Sequence, residues 1–189
     1  PSYLMTLVAG RFDVMDDRDA VVGEGRTVPV TYWVPPGRKA DAVRAFSETP
    51  RMIELFSRLT GVPYPWSRYS QVVVSDFIFG GMENTTATTM YEHILLDERA
   101  AIDVVSHDLV AHELAHQWFG DFVTCRDWSH GWLNEGFATF FEQVEREDRL
   151  GRDEYLYGIE AELESYRGEA SARYQRPIVC RDYGLPIDL

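Results

Sequence analysis

Lysine is almost absent from this chain. Lys39 stands alone among eighteen basic residues, which face thirty-one acidic ones, and the formal net charge is −13. So negative a chain is a poor partner for nucleic acid or an anionic membrane. The single lysine reads as compositional bias rather than a binding device. Cysteine is nearly as scarce: Cys125 and Cys180 show no C-x-x-C spacing. That excludes a disulfide framework, and both read as small buried residues. No apolar run approaches the roughly 20 residues of a membrane span. No basic-then-apolar leader opens the chain, and there is no repeat or low-complexity tract. The acidity does not signal disorder, because aromatic residues reach 13% and hydrophobic residues 45%, with strong apolar periodicity. The 189 residues can bury one sizeable core, or two small lobes sharing one.

What is present centres on His112-Glu113-Leu114-Ala115-His116. The stretch from Ala100 to Gly120 reads as a helix, with Val104, Val105, Leu109, Val110 and Leu114 apolar. Residues four apart share a helix face, so both imidazoles can reach one metal ion. Glu113 is turned by roughly 100° from His112, beside the metal, where a carboxylate can take a proton from activated water. Eighteen residues separate His116 from Glu135. Gly120 and the turn-rich Cys125–Gly131 segment stop the first helix. A second helix, roughly Leu133 to Arg149, then brings Glu135 back against the histidines. Two histidines and one carboxylate leave a fourth position open, as in catalytic zinc sites; structural sites fill all four, usually with cysteines.

The chain in order gives further expectations. Tyr3–Ala9, Val21–Gly23 and Val28–Val34 read as strands, divided by Asp16-Asp17 and Gly23-Glu24-Gly25. Lys39–Ser47 reads as a helix. Thr49 reads as an N-cap, with Pro50 at the first helical position and Gly61 closing that helix. Gln71–Ser75 and Thr85–Tyr91 read as strands. Between them lies Gly80-Gly81-Met82-Glu83-Asn84, whose glycines allow another backbone to approach closely; taken alone, an ordinary glycine turn is the plainer reading. Asp153–Ala172 reads as a third, acidic helix with a solvated face. His93, His107 and His130 lack ligand spacing and read as structural or exposed. Asp108 and Thr139 each lie one turn from a ligand, as orienting groups or as surface polar residues. Both ends, Pro1 and Gly184–Leu189, read as cut.

Three motifs now stand in order: Gly80–Asn84, His112–His116, and Glu135 within Trp132-Leu-Asn-Glu-Gly136. Val62-Pro-Tyr-Pro-Trp66 and Gln117-Trp-Phe-Gly120 accompany them. This pattern resembles the zinc aminopeptidases of the aminopeptidase N and leukotriene hydrolase type, the gluzincins, over nearly the whole chain. One position departs, since the motif's second residue is usually alanine and here it is Gly81.

The resemblance implies an α+β, thermolysin-like catalytic domain, a mixed β-lobe followed by helices carrying the zinc site, with the helical lobe truncated. Residues 1–189 would form one partial peptidase domain. Its β-rich lobe is 1–100, with a helical insertion around 39–60 and the substrate edge at 79–91; the zinc helices occupy 101–189. The resemblance implies one Zn2+, held by His112, His116 and Glu135, with Glu113 as general base. Gly80, Gly81, Met82 and Glu83 would bind substrate backbone as an added strand. Glu83, helped by Glu135, would hold the free α-amino group of a peptide. Missing flanking domains of the same protein are the other expected partner. The family's oxyanion-stabilising tyrosine, in a Tyr-x-Lys-Gly context, is not found among the 54 residues after Glu135. Tyr183 reads as structural, so the expectation is a piece that holds zinc but is at best a feeble peptidase. The rival readings are a thermolysin-type endopeptidase, for which Glu83 has no use, and a non-catalytic peptide-binding domain, which needs no general base.

Overall fold

Val30–Val34 sets the pattern of the sheet. Val30, Tyr32 and Val34 are buried while Trp33 is exposed, the period-two alternation of a strand with one face on a core. In the computed structural model, which describes residues 1–172 and 175–184, this strand (β4) lies in a mixed five-stranded sheet. Its other members are β1 (Asp13–Asp16), β5 (Tyr69–Val74), β6 (Gly81–Met82) and β7 (Ala87–Tyr91), in the order β1-β4-β5-β7-β6. The central pairs β4–β5 and β5–β7 are parallel. The outer pairs β1–β4 and β6–β7 are antiparallel. Ala20–Val21 (β2) and Thr27–Val28 (β3) form a separate two-stranded ribbon.

Parallel neighbours need long crossovers, and helices α1 (Lys39–Phe46) and α2 (Thr49–Thr60) supply the first. Their Phe46, Met52, Ile53 and Phe56 enter the core with Tyr64, Tyr69 and Val73. Gly61 ends α2 in the left-handed region at φ 70°, a conformation that favours glycine. Three further helices follow: α3 (His107–Ala115), α4 (Glu135–Leu150) and α5 (Arg152–Ala172). Val110, Leu114, Trp118, Ala138 and Phe141 join the same buried cluster, so sheet and helices share one core. The architecture is α+β, as expected. No helix among the described residues is long and apolar enough to cross a membrane.

Several local expectations are corrected. The helix expected over Ala100–Gly120 is confined to α3, preceded by a short 3-10 turn at Ala100–Ile102. Val104 and Val105 are exposed. Their branched side chains favour helix weakly, and the buried Ser106 hydroxyl donates to Ala45 O at 3.0 Å, fixing the chain just before α3. Tyr3–Ala9 is not a strand: Ser2–Leu4 forms a 3-10 turn, and Met5 and Leu7 are exposed. β1 lies outside the expected strands, since an acidic edge strand carries little apolar signal. Thr49 is not a cap; it begins α2, and its hydroxyl donates to the buried Gln71 Oε1 at 3.1 Å. Cys125 and Cys180 are both free, the first half-buried and the second buried. Of the expected C-terminal segment Gly184–Leu189, residues 185–189 lie outside the described residues.

Candidate metal centre

His112 and His116 project from one face of α3 and its C-terminal cap. Glu135 is the first residue of α4, and α3 packs along α4. The turn between them is tied by Gly120 N–H to Val123 O at 2.9 Å and Asp121 N–H to His116 O at 3.0 Å. The result is a triangle of potential ligand atoms. His112 Nε2 and His116 Nε2 are 3.1 Å apart, and Glu135 Oε2 lies 3.3 and 3.4 Å from them. A tetrahedral zinc shell with bonds of about 2.1 Å has ligand–ligand edges of roughly 3.4 Å. The residues present therefore fit zinc. Among the described residues these three form the one such metal-capable group. His93, His107 and His130 do not join it; the His93 ring packs on Tyr91 at 4.3 Å.

The far nitrogen of each imidazole is engaged. His116 Nδ1–H donates to Phe119 O at 2.9 Å, and His112 Nδ1 meets Glu142 Oε1 at 2.6 Å. Such partners fix the ring and turn Nε2 toward the metal. Sequence reasoning misses Glu142. It offers Asp108 and Thr139 as orienting groups, but Asp108 pairs with Arg146 of α4, and the carboxylate on His112 comes from Glu142. The available signal is periodic: Glu142 follows Glu135 by seven residues, two turns along one face.

Charge within the site is strongly coupled. Burial pushes His112 down, but hydrogen bonds to Glu135 and Glu142 outweigh it and lift the ring to about 10. Burial likewise opposes protonation of His116, whose contact with Glu135 carries it upward. Partial desolvation raises Glu135, yet its bonds to the two imidazoles hold it well below the usual carboxylate range. Glu113 is 5% exposed. Burial lifts it to about 7 against the pull of His116 and His112, with Glu83 adding to the rise. Its Oε2 is buried without a hydrogen-bond partner.

Gly80–Glu83 and the α3 face line a cleft of about 660 Å3, together with Glu135, Tyr3, Phe79 and Trp128. Every residue singled out in the sequence as catalytic, substrate-binding or metal-binding, namely Gly80, Gly81, Met82, Glu83, His112, Glu113, His116 and Glu135, lines it. Tyr183 does not. β6 is an edge strand, paired on one side only. Gln117, the residue after His116, joins it to the helix: its Nε2 donates to Glu83 O at 3.4 Å, and its Oε1 accepts from Thr86 N–H at 3.0 Å. A Cβ at Gly81 would stand 2.3 Å from Glu113 Oε1, so in this chain the flexible Glu113 carboxyl occupies the space that the motif's usual alanine methyl would fill.

The chain is similar to known proteins in sequence and in fold. The model of the peptidase family M1 domain matches residues 44–181. The chain is 39% identical over 143 residues to aminopeptidase M1-A of Oryza sativa subsp. japonica, covering 74% of this chain and 16% of that protein. It is 36% identical over 155 residues to aminopeptidase N of Caulobacter vibrioides, covering 80% and 18%. The crystal structure of an M1 zinc metallopeptidase from Deinococcus radiodurans superposes with a TM-score of 0.66 at 29% identity, covering 90% of this chain and 35% of that one. Aminopeptidase A of Legionella pneumophila, solved with aspartic acid, gives 0.72 at 27% identity over 80% and 18%. The chain thus spans 16–18% of the length of these curated relatives.

Proposed function

The chain belongs to peptidase family M1, and from that premise we propose that its cleft serves a zinc aminopeptidase, a hydrolase that removes the N-terminal residue of a peptide. The observation that carries the reading is a juxtaposition: the His112–His116–Glu135 triangle, the partnerless oxygen of Glu113, and Glu83 on one cleft wall. We read residues 1–189 as part of one peptidase domain, β-rich through residue 100 and metal-binding from residue 101.

His112 Nε2, His116 Nε2 and the Glu135 carboxylate would hold the zinc. Bound there, the ion supplies Lewis acidity, which polarises a carbonyl and acidifies water. Glu113 is the general base: it takes the proton of the attacking water and delivers it to the leaving nitrogen. A carboxyl poised near neutrality suits both halves of that task, and a nearby cation draws it toward the ionised form. Gly80 and Met82 turn their backbone groups to β7, so the free side of β6 offers those of Gly81 between them to an extended peptide, which adds as a strand along Gly80–Met82. Glu83 is 8% exposed and accepts the α-ammonium group, with Glu135 assisting. A buried carboxylate leaves an acetylated N-terminus unpaired, so only the first peptide bond is presented for cleavage.

The test combines zinc analysis with hydrolysis of a chromogenic aminoacyl amide and its N-acetyl counterpart. One zinc per chain and a strong preference for the free amine are expected. Equal hydrolysis of both substrates would overturn the aminopeptidase reading in favour of an endopeptidase, and zinc binding without any hydrolysis by the full-length protein would favour a binding domain.

A further inference from the structure

Two aromatic residues 125 positions apart meet at the cleft wall. Tyr3 and Trp128 pack edge to face with centroids 5.3 Å apart, and both line the cleft together with Glu83 and Glu135. Tyr3 is anchored from both sides. Leu4 O, one residue on, accepts from Thr85 N–H at 3.2 Å and from Asn84 Nδ2 at 3.4 Å. The Tyr3 hydroxyl accepts from Asn134 Nδ2 at 3.4 Å, next to Glu135. The ring is thus fastened to the two segments that carry Glu83 and Glu135. The Glu83 charge is felt at the Tyr3 hydroxyl, which burial and then that charge lift to about 12, keeping it a neutral phenol.

A peptide whose ammonium group is held by Glu83 and Glu135 has its first Cα beside those carboxylates, and its chain runs back along β6 toward Gly80. The first side chain must then leave the backbone near the Glu83 end, where the neighbouring lining is aromatic. We propose that Tyr3 and Trp128 form the wall that receives this side chain, and that Tyr3 makes the site selective for large apolar and aromatic first residues. The proposal rests on the aminopeptidase reading. Its physical basis is the apolar area a large side chain buries on two rings, together with the edge and face geometry that aromatic pairs favour.

Calorimetry on the zinc-loaded chain, with Glu113→Gln added to prevent turnover, tests it. The probes are phenylalaninamide, alaninamide and N-acetylphenylalaninamide. The unmodified wall should favour phenylalaninamide over alaninamide by about thirtyfold or more, and Tyr3→Ala should reduce that ratio to about threefold or less. Alaninamide affinity should stay within about twofold, which also reports an intact fold. Tyr3→Phe should keep the preference, separating the ring from its hydrogen bond to Asn134. If Tyr3→Ala fails to bind alaninamide, Trp128→Leu carries the same test. Equal binding of the two amides before mutation, or equal weakening of both in these variants, overturns the proposal while leaving the aminopeptidase reading intact. If the N-acetyl compound binds as tightly as phenylalaninamide, the aminopeptidase reading fails and this assignment with it.

Discussion

The two lips of the cleft are held in place by different chemistry. The sheet lip, residues 80–84, hangs from neutral groups. Tyr91 N–H donates to Gly80 O at 2.9 Å, Gln117 Nε2 to Glu83 O, and Thr89 Oγ1 to Asn84 Oδ1 at 2.7 Å. The helix lip, α3 against α4, hangs largely from charges. His112 meets Glu142 and Glu135, and Asp108 meets Arg146. Farther along α4, the fully buried Glu145 lies between Arg51 at 2.6 Å and Arg149 at 3.0 Å. Neutral hydrogen bonds contribute about 0.5–1.5 kcal/mol each and do not titrate, whereas bonds to charged groups contribute about 1.5–3 kcal/mol and change with pH and metal. Under the proposed function the difference gives the lips separate duties: the sheet lip would be a fixed ruler for substrate backbone, and the helix lip would respond to protons and zinc.

The comparison breaks most completely at the triangle. His116→Ala removes a proposed ligand that is 1% exposed and leaves Glu135 with one imidazole partner. Zinc affinity should fall by well over the roughly 100-fold expected for losing an outer-shell partner, while the sheet lip keeps its hydrogen bonds. Metal analysis after dialysis, with circular dichroism to follow the fold, checks this. Full zinc occupancy would remove His116 from the ligand set.

Glu113→Gln is the next largest. It alters the side chain of the helix lip that lies against Gly81 of the sheet lip. Zinc should remain, since no ligand is touched, and turnover should drop by about 10²–10⁴-fold, the usual share of a positioned general base. Turnover per bound zinc is the measurement, and a near-normal rate would mean that another group accepts the proton.

These effects fall on residues whose placement is legible in the sequence, and the reason is periodicity. The four-residue step from His112 to His116 fixes a shared helix face whatever surrounds it. Gly80-Gly81-Met82 leaves the main chain bare of side chains, yet alone it reads as an ordinary glycine turn, and its reading as a substrate edge comes from the family resemblance. What escapes depends on partners distant in sequence. α3 starts at His107 because Ser106 reaches Ala45, and no local propensity reports that bond. Tyr3–Ala9 has strand-like composition, but strand propensity acts only through a neighbouring strand, and none pairs with it. Glu142 is within reach of the periodicity argument, two turns beyond Glu135, and is obscured by the surrounding acidic run, in which residues 141–170 hold ten carboxylates.

Glu83→Ala cuts the sheet lip without touching its backbone. Cleavage of substrates with a free N-terminus should weaken by about 10–100-fold, the value of one charge-assisted bond, while N-acetylated substrates should be nearly unaffected. Parallel kcat/KM measurements on the two substrate types decide it. If both fall together, Glu83 supports the fold of the lip rather than the ammonium group.

The smallest expected effect sharpens the contrast, because it belongs to one lip alone. In the metal-free chain His112 is lifted to about 10 by Glu135 and Glu142 acting against burial, so the ring carries a proton throughout the neutral range. Zinc requires the neutral imidazole and must displace that proton. The sign follows: affinity falls as pH falls, because the metal-free form binds one more proton than the loaded form. The slope should be at least about tenfold per pH unit between pH 8 and pH 6, steepening wherever His116 also takes up a proton. Glu142→Gln removes one of the three carboxylates that raise His112, the others being Glu135 and Glu113, so in that variant the decline should begin at lower pH. A substitution on the sheet lip such as Met82→Ala, which alters no charge, should leave the profile in place. Zinc titrations against a competing chelator across this range would show it. A flat profile in the unmodified chain would mean that His112 is already neutral before the metal arrives, and that the helix lip is as indifferent to protons as the sheet lip.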